Sequence, residues 1–272
     1  MPELPDVEAF RRTFARLAAG RTVAGVWVDP TILRGVGPRA VARALVGKRF
    51  EEPDRLGKWL IARTDGPTLL LHFGMTGDLV WSGDEPHRHR HDRLALAFVE
   101  GGELRYRNMR KLGGVWLAYG PRAEAAILGR LGPDALTIGR PAFLERLGRR
   151  RGSVKAVLMD QAFVAGVGNL LADEILWQAR LHPRRRVESL SPDERIALYR
   201  VLRSVLRGSV ERSEHMPWKR SWLNHVRGLP GARCPRCGTA LARSVVAGRT
   251  TYHCPACQPL APGDQADRAA TP

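Results

Sequence analysis

The first residues of the chain combine two groups that could act together on an electrophilic carbon. The sequence begins Met1-Pro2-Glu3, and a small second residue usually permits removal of the initiator methionine. Pro2 would then carry a free secondary amine, and α-amino groups titrate near neutrality, at about 7.7–8.0. A neutral amine can attack carbon and form an iminium of the Schiff-base type, while the Glu3 carboxyl can transfer a proton nearby. An ordinary translation start contains the same residues, so this pair alone predicts nothing further.

The four cysteines form two C-x-x-C pairs. Cys234 and Cys237 make the first pair, Cys254 and Cys257 make the second, and sixteen residues separate the pairs. This spacing is typical of a tetrahedral four-cysteine zinc ribbon, with disulfides as the alternative. We predict one structural Zn²⁺ per chain, bound by all four thiolates beside a β-hairpin of residues 240–246 and 250–253. Arg249 would lie at the hairpin tip, where its guanidinium is either solvated or bound to phosphate.

The charge balance favours a polyanionic partner. The 272 residues include 44 Lys and Arg against 27 Asp and Glu, a formal net charge of +17. That excess suits nucleic acid ahead of a membrane surface. Only five of these cations are lysine, so the skew also fits a GC-rich genome and does not establish DNA binding. Basic clusters at residues 149–155 and 184–186 are either solvated surface or phosphate contacts.

The chain has no membrane or export signal that we recognise. No window of about 18 apolar residues occurs, and the start has no basic segment followed by an apolar one. We expect a cytoplasmic protein, in a bacterial cytoplasm or nucleoid, and a monomer.

Hydrophobic periodicity predicts the elements that position these groups. Apolar residues at helical spacing after Pro5 predict a leading helix that Gly20 ends. A period near two predicts strands at 22–29, 58–63, 68–73, 93–99, 103–108 and 115–119, with a helix at 38–45. Helical patterns follow at 122–130, 141–149, 154–160, 169–179 and 191–211.

These elements predict an α+β, two-domain fold. It comprises an N-terminal β-sandwich with a leading helix, and a C-terminal helical domain that carries the four-cysteine zinc-ribbon hairpin. The predicted bounds are 1–132 for the sandwich, 133–230 for the helical domain and 231–260 for the zinc hairpin. Residues 261–272 lack an apolar pattern and predict a disordered tail.

Three stretches together resemble the formamidopyrimidine-DNA glycosylase / endonuclease VIII family of base-excision repair enzymes. They are MPELP at residues 1–5, MDQAFVAGVGN at residues 159–169 and the four-cysteine ribbon, in this order across nearly the whole chain. The middle stretch resembles the family's helix–two-turn–helix segment. Its glycines would let the backbone approach a phosphate, and the next helix would direct N–H groups at it.

The resemblance implies a role for each matching residue. Pro2 would attack C1′ of a damaged nucleotide, and Glu3 would transfer the proton that opens the sugar. Elimination of the 3′ and then the 5′ phosphate would follow. Lys58 would contact phosphate from a strand near the active site, although by itself it is an ordinary strand lysine. Asn169 and Arg249 match the family's phosphate clamp beside the flipped nucleotide.

Two further stretches resemble the loops that fill the gap left by a flipped base. HFGMTG at residues 72–77 would place Met75 in that gap. YRNMRKLG at residues 106–113 would direct Arg110 toward the orphaned base and use Leu112 as a wedge, a common function of apolar side chains between base steps. Without the resemblance, Met75 and Leu112 would be assigned to the core.

The preferred lesion stays open because the motifs point to two branches of the family. Met75 and the Arg110 position resemble the purine-specific branch, but that branch usually has phenylalanine at the Leu112 position and Asp-Pro at residues 108–109. LMDQAF at residues 158–163 and EILWQ at residues 174–178 look closer to endonuclease VIII, and the stretch 212–233 is shorter than the purine branch carries.

The expected function is removal of oxidised bases of the formamidopyrimidine and 8-oxoguanine type, followed by β,δ-elimination at the abasic site. The expected partner is double-stranded DNA that contains damaged bases or abasic sites. The alternatives are action on oxidised pyrimidines or on bulky or crosslinked adducts, and a catalytically silent damaged-DNA-binding protein. A zinc-ribbon transcription factor would leave the N-terminal stretch unexplained.

Overall fold

A computed structural model describes residues 2–83, 87–212 and 218–260 of the chain. The chain divides into two compact units between Arg130 and Leu131. The predicted α+β, two-domain class is confirmed, with a strand-rich first unit and a helical second unit that carries a β-hairpin. The tail predicted to be disordered, residues 261–272, lies outside the described residues.

Helix α1, Leu4–Leu17, leads the first unit as the periodicity predicts. Its start carries a capping box and a proline in the first turn, both of which favour helix initiation. Val7 and Phe14 are fully buried on one face. Burying each such side chain contributes about 1.5–3 kcal/mol, which fixes the helix on the sheets.

Eight strands form two four-stranded sheets in the first unit, and every named pair is antiparallel. One sheet has the order β1-β6-β7-β5, and the other has the order β2-β3-β4-β8. The strands are β1 Val23–Val28, β2 Asp54–Leu56, β3 Trp59–Ala62, β4 Thr68–His72, β5 Gly77–Trp81, β6 Asp92–Phe98, β7 Glu103–Asn108 and β8 Gly114–Ala118.

The core of this unit lies between the two sheets. Alternate residues of each strand enter it, as Leu60 of β3 and Leu71 of β4 do, while Ile61 and Leu70 face the other side. Helix α2, Pro38–Leu45, packs against β1, and helix α3, Pro121–Leu128, packs against β8. The sheet that contains β3 and β4 therefore has one face in the shared core and one face outside it, as a β-sandwich requires.

Strands β2 and β5 were not predicted from the sequence. Strand β2 has only three residues, too few to show a period of two. Strand β5 begins at Gly77, the last residue of the stretch 72–77. That stretch was interpreted as a loop because it resembles a loop of the family, so the strand after it was not recognised. The hairpins at Asp65-Gly66 and Gly101-Gly102 connect β3 to β4 and β6 to β7, as their turn residues predict.

The second unit contains five α-helices among the residues that the structure describes. They are α4 Arg140–Gly148, α5 Val154–Met159, α6 Asn169–Gln178, α7 Pro192–Val210 and α8 Leu223–Val226. Helix α7 starts with a capping box in which Ser191 and Glu194 each accept a backbone N–H from the other. Helix α8 is a single turn that no periodicity could indicate.

Strands β9, Ala242–Val246, and β10, Arg249–His253, form the predicted hairpin. Trp177 and Leu223 pack on the buried Cys234 and Cys254 beside it. Within the described ranges, no helix has both the length and the apolarity to cross a bilayer.

Candidate active site and metal centre

Helix α1 holds the N-terminal residues in place. Glu3 is its N-cap residue, and the Glu3 N–H donates to the Asp6 carboxylate at 2.7 Å. Glu3 is only 2% exposed and Pro2 is half-buried. Because the cap belongs to the folded helix start, the amine of Pro2 would be held against the unit and would not fray.

Lys58 lies in the tight turn between β2 and β3, so its predicted placement on a strand is wrong. Gly57 before it has φ +57, a left-handed conformation that glycine adopts without strain. The Arg55 guanidinium donates to the Gly57 carbonyl at 2.9 Å and to the Glu8 carboxylate at 3.0 Å. Since Glu8 lies on α1, this contact joins the turn that carries Lys58 to the helix that carries Glu3.

The Lys58 charge acts on two buried groups near the N-terminus. Burial raises the pKa of Asp6, and the Lys58 ammonium opposes that rise. Burial, with a smaller contribution from the Lys58 charge, lowers the pKa of His72 to about 4. His72 is therefore neutral near pH 7, and its Nδ1 accepts the Gly74 N–H at 3.3 Å. Lys58 is thus within electrostatic range of both Asp6 and His72, and Asp6 is hydrogen-bonded to the Glu3 backbone.

Sequence reasoning assigned no function to Asp6 or His72. Asp6 had a usable signal, because an acidic residue three positions after an N-cap residue completes a capping box. His72 had none, since its contact with Lys58 depends on the pairing of β3 with β4.

Met75, Arg110 and Leu112 come together on one surface of the first unit. The Arg110 guanidinium lies 3.4 Å from the Met75 sulfur. A Cβ on Gly74 would lie 2.6 Å from the Leu112 carbonyl carbon, so the two loops pack backbone to backbone. Leu112 is 55% exposed, which is unusual for a leucine and excludes a core role.

Asn108 connects these two loops from inside. It is fully buried, and its Nδ2 donates to the Phe73 carbonyl at 3.1 Å and to the Tyr106 hydroxyl at 2.8 Å. Its Oδ1 accepts the Lys111 N–H at 2.9 Å and the Thr76 hydroxyl at 3.2 Å. All four hydrogen-bonding positions of the amide are occupied, so its geometry fixes both loops.

Replacing Asn108 by alanine should loosen both loops. The Asn108→Ala variant removes all four hydrogen bonds of the buried amide and leaves the Lys111 N–H without its partner. Each net hydrogen bond contributes about 0.5–1.5 kcal/mol, and a buried orphan costs about 1–3 kcal/mol. We expect the free energy of unfolding, measured by urea denaturation, to fall by about 3 kcal/mol. Thr76→Ala removes one of these bonds and should cost only about 1 kcal/mol. Equal losses in the two variants would show that Asn108 does not organise the loops.

In the second unit, Gln161 shapes the turn between α5 and α6. Its Nε2 donates to the carbonyls of Met159 and Val167, both at 2.8 Å, and its Oε1 accepts the Gly166 N–H at 3.0 Å. Gly166 has φ +114, which requires glycine. Helix α6 then starts at Asn169, and the N–H groups of its first turn form an anion-binding end.

The structure places Asn169 and Arg249 side by side. The Asn169 Nδ2 donates to the carbonyl of Thr250, the residue after Arg249, at 3.0 Å. Arg249 is exposed at the start of β10, directly after the Ala247-Gly248 turn. The Asn169 Nδ2 carries two hydrogens, and one of them is enough for the bond to the Thr250 carbonyl. The other can donate to a phosphate.

A buried ion pair fixes strand β10 on the helices. Lys155 and Asp173 are fully buried, and the Lys155 Nζ lies 2.6 Å from the Asp173 Oδ1 and 2.6 Å from the Thr251 hydroxyl. The Arg227 guanidinium donates to Asp173 at 2.8 Å and to the Thr250 carbonyl at 2.9 Å. Lys155 is therefore neither solvated surface nor a phosphate contact, and the pattern of the basic cluster gave no sign of its burial.

The four cysteines fit a zinc ion. Their sulfurs all lie within 4.8 Å of one another, with separations of 3.5 Å for Cys237 to Cys254 and 3.9 Å for Cys234 to Cys257. A tetrahedron with Zn–S bonds of about 2.3 Å has edges of about 3.8 Å, whereas a disulfide bond is about 2.05 Å long. The predicted structural Zn²⁺ site is confirmed, and four thiolate ligands leave no open position for chemistry. The Trp177 indole N–H, 3.3 Å from the Cys234 sulfur, would orient that ligand.

Glu174 of α6 should make the stability of the second unit depend on pH. Burial raises its pKa to about 7, although the Gln178 amide and the Asn224 N–H donate to it. A carboxyl whose pKa is higher in the folded than in the unfolded state stabilises the fold fully at a pH below its unfolded-state pKa. That stabilisation is lost as the pH rises through its folded-state pKa. Glu174→Gln should therefore have a higher melting temperature than the native protein at pH 8, with a gap that narrows toward pH 6. Exposed Glu145→Gln should show no such trend, and a gap that is constant between pH 6 and 8 would contradict the assignment.

Family models match three parts of the chain. They are the formamidopyrimidine-DNA glycosylase N-terminal domain over residues 1–115, the H2TH domain of the same enzyme over residues 131–217, and a zinc finger found in FPG and IleRS over residues 231–260. The chain belongs to the formamidopyrimidine-DNA glycosylase family. This confirms the resemblance seen in the sequence.

Similar proteins of this family cover nearly the whole chain. A formamidopyrimidine-DNA glycosylase of Thermomicrobium roseum is 39% identical over 96% of this chain and 100% of its own length. That of Thermus thermophilus is 38% identical over 95% of this chain and 98% of its own. The Lactococcus lactis enzyme bound non-covalently to DNA with an AP site has a TM-score of 0.86 and 28% identity, covering 95% of this chain and 100% of that chain. A MutM complex with carbocyclic 8-oxo-G-containing DNA gives the same four values.

Proposed function

We propose that this member of the formamidopyrimidine-DNA glycosylase family removes oxidised bases from double-stranded DNA and then cleaves the abasic strand. The observation that carries the proposal is the N-terminal segment. Pro2 and the buried Glu3 are fixed at the start of α1, and the Lys58 turn is joined to the same helix through Arg55 and Glu8. A fixed amine next to a buried carboxyl suits covalent catalysis.

Pro2 is the nucleophile in this proposal. After removal of Met1, the Pro2 nitrogen attacks C1′, the bond from C1′ to the base breaks, and the base leaves with the proton that the Pro2 nitrogen loses. Glu3 donates a proton to the sugar ring oxygen, and the ring opens to an iminium between Pro2 and C1′. The iminium makes the C2′ proton acidic, so the 3′ phosphate leaves by β-elimination and the 5′ phosphate leaves by δ-elimination. Water then releases Pro2.

Lys58 supports this chemistry through its charge. An ammonium near the N-terminal amine disfavours a second positive charge, so it increases the neutral, nucleophilic fraction of Pro2. The same charge that lowers the pKa of His72 would contact a phosphate of the bound strand.

The remaining predicted residues hold and deform the duplex. Asn169 at the start of α6 and Arg249 at the start of β10, joined through the Asn169 bond to the Thr250 carbonyl, would bind the phosphates beside the flipped nucleotide. Met75, Arg110 and Leu112, adjacent in the first unit, would fill the gap in the duplex. A base inside a duplex is unreachable, so flipping and gap filling must accompany excision.

The proposed partner is double-stranded DNA with damaged bases or abasic sites, bound by a monomer in the cytoplasm. The proposed domains are the catalytic sandwich at 1–132, the DNA-binding helical domain at 133–230 and the zinc hairpin at 231–260. Zinc would stabilise the hairpin that carries Arg249 and take no part in the reaction.

A second candidate is the same reaction on oxidised pyrimidines or bulky adducts. Leucine at position 112, Asn108-Met109 and the short stretch 212–233 support it. The test is a panel of duplexes that each carry one lesion, with borohydride trapping on the same preparation. We expect excision and trapping to be most rapid with formamidopyrimidine and 8-oxoguanine. Faster excision of oxidised pyrimidines would favour the second candidate, and binding without any trapping would indicate a silent DNA-binding protein.

A further inference from the structure

A basic groove runs along helix α7 on the second unit. Two neighbouring cavities, of about 430 and 530 Å³, share Arg200 and Ser204 in their walls. Arg236 lines the first cavity, and Arg207 and Lys219 line the second. We call this surface the α7 groove.

Three cations of the α7 groove have no carboxylate partner in the described part of the chain. Arg200, Arg207 and Lys219 are exposed and have no carboxylate within ion-pair distance among residues 2–83, 87–212 and 218–260. The first cavity has no acidic residue in its wall, and Glu211 lines only the second. Exposed cations facing one concavity favour an anionic ligand.

The α7 groove and the phosphate clamp do not share residues. Asn169 begins α6, whereas Trp177, which lines the first cavity, lies eight positions later near the other end. At 1.5 Å per residue the two are about 12 Å apart along the helix. The clamp uses the N-terminal end of α6, and the groove lies at its C-terminal end.

The aromatic walls of the groove exclude a ligand held by base stacking. The Arg236 guanidinium covers the Trp177 ring at 4.2 Å, and the Lys219 ammonium lies 5.6 Å from the Trp222 ring centre. Trp177 is 4% exposed and Trp222 is 8% exposed, so neither offers a free face. Binding of single-stranded nucleic acid depends on such faces. The cavities are also concave and of the size of small-ligand sites, which a rod-like duplex does not enter.

A single acidic side chain does fit these cavities. The first cavity is lined by Arg200, Arg236, Ser204 and Ser221, whose side chains carry hydrogen-bond donors of the kind that bind a carboxylate. We propose that the α7 groove binds an extended acidic peptide segment of a partner protein, with successive carboxylates in the two cavities. The partner would be recruited at the end of α6 that the phosphate clamp does not use.

The test is fluorescence anisotropy of a labelled peptide of alternating aspartate and glycine. The probe is titrated with the full-length native protein, with Arg200→Gln/Arg207→Gln, and with Arg122→Gln/Arg140→Gln. The control pair removes the same charge from exposed positions outside the groove. We expect the groove variant to bind at least about tenfold more weakly, because charge-assisted bonds are lost. The control variant should bind like the native protein. A second labelled peptide, in which asparagine replaces every aspartate, should not bind because it has no carboxylates.

Excision of a damaged base from duplex DNA should be equal in all three proteins. If the native protein does not bind the acidic peptide, the proposal is wrong. Equal weakening in both variants would also overturn it, because the affinity would then follow the net charge of the protein and not the groove. A groove variant that loses affinity for single-stranded or duplex DNA, while the control keeps it, would also overturn it and assign the groove to nucleic acid.

Discussion

A form of the protein with an uncleavable N-terminal extension should lose base excision and borohydride trapping. The extension converts the Pro2 amine into an amide, which has no nucleophilic lone pair, so the covalent route is closed. We expect the single-turnover excision rate to fall by about a thousandfold or more, the scale typical of nucleophile removal. Affinity for abasic-site DNA, measured by gel shift, should change little because the extension leaves Asn169 and Arg249 intact.

The matched control is the same tag placed at the C-terminus, which should leave trapping unchanged. Pro2→Gly is a weaker test, since glycine still offers a terminal amine. An N-terminally extended protein that forms the trapped adduct at the native rate would remove Pro2 from the mechanism.

The second large effect is expected for Glu3→Gln. The substitution preserves the size of the side chain and the backbone N–H that donates to Asp6. In the proposed mechanism it removes the group that protonates the sugar ring oxygen, and general acid catalysis typically contributes about 10²–10⁴-fold. We expect a loss of that order in the single-turnover excision rate, with the affinity for abasic-site DNA retained.

Exposed Glu52→Gln serves as the control for Glu3→Gln and should retain the native rate. Circular dichroism should show the same melting temperature for Glu3→Gln within a few degrees, so that a rate loss is chemical. A Glu3→Gln rate within about tenfold of the native rate would show that another group supplies the proton.

The long periodic elements could be predicted from the sequence. Helix α2 and strand β7 have the predicted bounds, because their apolar spacing is regular and glycine or proline marks their ends. Strand β2 and helix α8 are three and four residues long, too short for either pattern to repeat twice. Lys58 was placed on a strand because the apolar run after it hides the turn that Gly57 begins.

The members of the candidate site could be named from the family's motifs. The residues that hold them in place could not. Asn169 contacts a residue 81 positions away, and Arg110 contacts one 35 positions away. Such contacts depend on how elements pack, which no local pattern reports. Asn108 and Lys155 illustrate the point, since each is polar, fully buried and satisfied by partners distant in sequence.

The central claim is that the amine of Pro2 forms the covalent bond to DNA. Its most direct test is mass spectrometry of the borohydride-trapped adduct with abasic-site DNA after proteolysis. We predict that the modified peptide is the N-terminal one, lacks Met1 and carries the sugar on Pro2. A modified lysine such as Lys58, or a fully active protein that retains Met1, would contradict it.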